Sequence, residues 1–142
     1  MTAPLLVERL RAGLAPGADL ECLDDYQLQI EHALDLVGRQ RVLFVDASLH
    51  CRAPFEATRL HAAAHDTGIT THALSPQALL HVYRELHLGE APPCTLLAIR
   101  GEGFELGAAP TGAALAHLDA ALDWARDWAS GVEMPLDSVA GE

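Results

Sequence analysis

The chain has 142 residues, half of them apolar and 5% aromatic, with a net charge of −11 at neutral pH. That length suits one domain with a core packed mainly by Leu, Ala and Val. The acidic excess argues against nucleic acid, whose phosphates need clustered Lys and Arg, and against an anionic membrane surface. It is compatible with steering toward a basic partner. No apolar run approaches the roughly 20 residues of a membrane span. The opening Met1-Thr2-Ala3-Pro4-Leu5-Leu6 lacks a basic region before an apolar stretch, so no signal peptide and a cytoplasmic location are expected. Cys22, Cys51 and Cys94 are odd in number and form no CxxC pair, which suits reduced thiols.

Helical and extended segments alternate, the pattern of a parallel α/β protein. Leu5–Leu14 predicts a helix stopped by Pro16-Gly17, and Leu20–Leu23 a short extended segment before Asp24-Asp25. Gln27–Gly38 predicts an α-helix with Ile30, Ala33, Leu34 and Val37 on its buried face. The uninterrupted apolar run Val42–Val45, closing on Asp46, predicts a strand buried on both sides. Phe55–Ala63 is a weaker strand candidate. Ser75-Pro76 opens a helix striped by Leu79, Leu80, Tyr83 and Leu86 and closed by Gly89. Cys94–Ile99 is a second buried strand, and residues 101–107 form a turn-rich excursion. A helix from Thr111 to Trp128 carries Ala114, Leu118, Ala121, Leu122, Ala125 and Trp128 on its stripe. Residues 1–130 are expected to form the domain, with 131–142 as a flexible tail.

Ligands of parallel sheets bind beyond the carboxyl ends of the strands. Asp46 ends one predicted strand, Asp24-Asp25 another, and His72 lies in the connection entering the Ser75-Pro76 helix. A carboxylate and an imidazole converging on that rim could take nickel or zinc. The alternative is that Asp46 caps a turn and His72 hydrogen-bonds its loop. His50, His61 and His65 read better as a solvated group than as ligands. Cys51 has no visible base to make it a nucleophile. There is no GxSxG elbow, Walker loop or dinucleotide fingerprint.

Three segments in order resemble the maturation endopeptidases of nickel-iron hydrogenases. Arg41-Val42-Leu43-Phe44-Val45-Asp46-Ala47-Ser48 looks like the family segment VxxVDA. Thr71-His72-Ala73-Leu74-Ser75-Pro76, followed by Leu79-Leu80, is similar to its histidine entering a helix. Pro92-Pro93-Cys94-Thr95-Leu96-Leu97-Ala98-Ile99, followed by Gly103-Phe104-Glu105-Leu106-Gly107, resembles its last strand and FExG element. The similarity runs from about Leu5 to Trp128.

The resemblance implies a three-layer fold: a mostly parallel, twisted sheet with helices on both faces. It implies an aspartic-type endopeptidase, monomeric, that removes a C-terminal peptide from the hydrogenase large-subunit precursor once nickel is in place. Asp46 matches the second of two carboxylates that contact the precursor-bound nickel, and His72 matches the histidine. The first carboxylate belongs to a GxGNxxxxDDGxG segment that this sequence lacks, so the first strand, its loop and one ligand are expected to be missing. Ala3–Val7 is an alternative source of a replacement strand; Glu8, Asp24 or Asp25 are candidate replacement ligands. Two other readings stand beside the enzyme: a non-catalytic module that docks the precursor or a nickel-bearing accessory protein, and a small α/β domain with an accidental likeness.

Overall fold

A computed structural model describes residues 2–13, 28–48, 50–62, 75–101 and 112–137. Helix α1 spans Thr2–Ala12, a 3-10 helix Ile30–Leu36, strand β1 Val42–Ser48 and strand β2 Phe55–Arg59. Helix α2 spans Pro76–Glu85, strand β3 Cys94–Arg100 and helix α3 Gly112–Ala129. The predicted Leu20–Leu23 segment and most of the 101–107 excursion lie outside the described residues.

The sheet order is β1-β3-β2. Val42 N–H bonds the Pro93 carbonyl and Gly101 N–H the Ser48 carbonyl, so β1 and β3 run parallel. Arg100 N–H bonds the Pro54 carbonyl and Leu60 N–H the Cys94 carbonyl, so β2 runs antiparallel to β3. The connection lengths dictate both directions. A parallel pairing needs a crossover of about a dozen residues or more, and the chain from β1 to β3 has room for one that includes α2. Leu49 to Pro54 is too short for a crossover, so β2 must return the other way.

Burial corrects one strand and bears out the other. Cys94, Thr95, Leu97 and Ile99 of β3 are buried, as expected of a strand with neighbours on both edges. Val42–Val45 of β1 are only half-buried, because β1 ends the described sheet instead of lying inside it.

The chain divides into two compact units. One comprises Met1–Asp24, Val45–Thr58 and Leu96–Glu142. Here α1 packs on α3, burying Leu6 and Leu10 on the first helix. The whole predicted stripe of α3 is buried, from Ala114 through Trp128, and Trp124 joins it. Trp124 meets Phe55 of β2 edge-to-face, with centroids 6.4 Å apart. Helix α1 includes Ala3–Val7, so that segment is not the replacement strand.

The other unit comprises Asp25–Phe44 and Arg59–Thr95. Ser75 caps α2, its Oγ accepting from Ala78 N–H at 3.0 Å, with Pro76 in the first turn. Leu79, Leu80 and Tyr83 are buried as predicted. Leu86 is exposed, because the helix stops at Glu85 and His87 then takes a left-handed φ of 58°. The predicted α-helix at 27–38 is a 3-10 helix packed on α2. With three residues per turn, Ala33 and Leu36 line up and are buried, while Leu34 and Val37 turn outward; Ile30, expected on the buried face, is exposed at the start of the segment.

Candidate functional site

Asp46 lies within β1, two residues before the strand's end. It is exposed, so its charge carries little desolvation cost and needs no buried partner. Its Oδ1 accepts from Ala47 N–H at 2.9 Å. Among the described residues, Oδ2 has no hydrogen-bond partner, leaving lone pairs for a cation or a donor.

The carboxyl ends of β1 and β3 are tied together beyond it. Ser48 Oγ accepts from His50 N–H at 3.0 Å and from Cys51 N–H at 3.1 Å, fixing the turn that leaves β1. Arg100, the last residue of β3, donates from Nη1 to the Cys51 carbonyl at 2.8 Å. Its buried Nε has no partner among the described residues. His117 of α3 places Nδ1 at 3.2 Å from the Arg100 carbonyl. The Ser48 and Arg100 ties escaped the sequence reading. A serine two and three residues ahead of the amides it accepts was the available signal for the first; no local pattern pairs Arg100 with Cys51.

Cys51 is buried, and its thiol donates to the Ala98 carbonyl at 3.5 Å. Burial pushes the thiol above its ordinary range, with Glu56 adding to the shift; Ser48 and Arg100 pull it back in part. A neutral thiol engaged with a carbonyl is a poor nucleophile at neutral pH. That agrees with the absence of an oriented base in the sequence.

His72, His65 and Asp24-Asp25 lie outside the described residues, so the pairing of Asp46 with His72 is not described. Glu8, His50 and His61 are exposed. Among the described residues, no three His, Cys, Asp or Glu side chains gather as a metal site. No helix among them is long and apolar enough to cross a membrane.

No protein-family profile and no curated protein matches the chain in sequence. Two solved structures are similar in fold. The hydrogenase maturating endopeptidase HybD from E. coli gives a TM-score of 0.64 at 24% identity, covering 91% of this chain and 83% of that one. The solution structure of an endopeptidase from Escherichia coli gives 0.61 at 24% identity, with the same coverage. The chain therefore shares the α/β fold of these two proteins over nearly its whole length.

Proposed function

We propose that the chain is a maturation endopeptidase acting on the C-terminal peptide of a nickel-iron hydrogenase large-subunit precursor. The observation that carries the proposal is a fold likeness, at TM-score 0.64, to a hydrogenase maturating endopeptidase, joined to an exposed carboxylate at the position the sequence resemblance assigns to a ligand. Asp46 contacts the precursor-bound nickel through its exposed carboxylate. His72 supplies the imidazole, on the strength of the sequence resemblance alone. Nickel belongs to the substrate and polarises the scissile carbonyl or a water. The enzyme contributes position: Asp46 stands on a strand beside its hydrogen-bonded neighbour, and a ligand on a strand is held more rigidly than one on a loop. A cytoplasmic, monomeric enzyme completes the proposal.

A second reading is a docking module that binds the same precursor without cutting. It rests on the residues matched: the resemblance supplies Asp46 and His72 as ligands, and this sequence contains no GxGN-type segment. One experiment separates the two. The chain is incubated with nickel-loaded precursor, and the precursor's mass is followed together with its binding. The enzyme reading expects shortening at the C-terminus that falls at least about 100-fold in Asp46→Ala and in His72→Ala, the loss typical of a removed electrostatic contact. Binding without shortening supports docking. Shortening indifferent to both substitutions refutes the assigned roles.

A further inference from the structure

Among the described residues, the outer edge of β2 is met at one residue by the chain's own C-terminal segment. The Pro54 carbonyl and the Leu60 N–H both face β3, so backbone groups at even positions point inward and Ala57 points out. Asp137 occupies that outward pair of groups. Its N–H donates to the Ala57 carbonyl at 2.6 Å, and its Oδ2 accepts from Ala57 N–H at 2.8 Å. The carboxylate stands where a paired strand would present a carbonyl. Its other oxygen, Oδ1, is held by Arg52. Asp137 thus imitates a β-bridge partner and adds a charge that Arg52 recognises.

Among the described residues, the hold is confined to this one. Pro135, two positions earlier, has no N–H with which to extend a ladder. Val132 and Leu136 are 50% and 42% exposed, so the segment is anchored by little apolar burial. An edge held by one residue can be exchanged.

We propose that the outer edge of β2 at Ala57 is a docking edge for an extended peptide of another protein that carries a carboxylate side chain. The segment around Asp137 is its internal competitor. Main-chain bonds to Ala57 supply strand addition, and Arg52 selects the acid. In a chain with a net charge of −11, an acid-binding edge requires such a local cation, and Arg52, with a side chain 69% exposed, is accessible to one. The inference is independent of the endopeptidase reading and survives its failure.

The test uses the full-length protein and a fluorescent peptide with the sequence of residues 132–142, followed by anisotropy. Asp137→Ala, which releases the internal segment, is expected to bind the peptide about tenfold more tightly than the native chain, on the scale of a lost charge-assisted contact. The same peptide with its aspartate replaced by alanine binds neither. Adding the native peptide to Asp137→Ala restores protection of the Ala57 amide against hydrogen exchange. Equal affinity of the two peptides, or no binding to a folded Asp137→Ala chain, overturns the proposal. If Asp137→Ala does not fold, Asp137→Asn carries the test, and the absence of any preference for the acidic peptide is again decisive against it. A concentration-dependent dimer of the native chain that disappears in Asp137→Ala would assign the edge to a second copy's tail and also overturn the proposal.

Discussion

Cys94 opens β3 with 1% of its surface exposed, and its thiol donates to the Pro92 carbonyl at 3.1 Å. Burial pushes the thiol up to about 11 from an ordinary 9.0, with the Arg59 charge opposing the shift. The raised value makes the folded state hold its proton longer than the unfolded state does. Stability from this group is therefore complete below pH 9 and is lost as pH rises toward 11. Two pKa units bound the effect at about 3 kcal/mol. All nine basic residues are arginine, so no lysine titrates across the same window. Urea unfolding between pH 8 and 11 should show a steeper decline in the native chain than in Cys94→Ala, which keeps the part that belongs to the raised Cys51 thiol; parallel curves would refute the assignment. The sequence located Cys94 correctly at the start of a strand, but it ended the first strand at Asp46, whereas β1 runs on through Ala47 and Ser48. It misjudged the surroundings of Asp46, because the burial of a run depends on what lies along the strand's edges, and that is not local information.

At the scale of elements, α2 and α3 were legible because each carries a regular apolar stripe, and α2 an N-terminal serine and proline besides. The segment at 30–36 was misread for a physical reason. Ile30, Ala33, Leu34 and Val37 fit a period of 3.6, whereas the chain winds at three residues per turn and buries Ala33 and Leu36. The two windings make opposite predictions for neighbouring leucines. Leu36 is 4% exposed and Leu34 59% exposed. Leu36→Ala should cost about 2–4 kcal/mol, as buried leucine truncations do, and Leu34→Ala less than about 0.5 kcal/mol. Denaturant midpoints at constant slope would measure both. The reverse order would restore the α-helical face. Leu34, 59% exposed, has little burial to lose, so a large loss there would contradict its outward position.

For the whole molecule, strand directions follow from connection lengths, and the fold likeness covers most of the chain. The candidate site is less accessible to such reasoning. Asp46 and His72 come from distant segments, and no local spacing in the sequence ties one to the other. Charge is a whole-molecule property that the sequence states directly, with 20 acids against 9 arginines. Among the described residues, some of those charges meet in exposed pairs. The Arg9–Asp119 pair spans 3.4 Å between side chains 42% and 69% exposed, and the Arg126–Asp123 pair spans 3.9 Å on the surface of α3. Exposed pairs of this kind contribute about 0–1 kcal/mol each and weaken with salt. The excess of 11 negative charges repels itself throughout the compact state, and salt screens that repulsion too. Repulsion should dominate, because the acids exceed the arginines by eleven. Raising sodium chloride from about 10 mM to 300 mM, which shortens the screening length from about 30 Å to 6 Å, is expected to raise the melting temperature by a few degrees at pH 7. The gain should shrink as pH falls toward 5 and the carboxylates begin to take up protons. A melting temperature that falls with salt at pH 7 would mean that attractive pairs outweigh the net charge, and would point to ion pairs stronger than the exposed ones described.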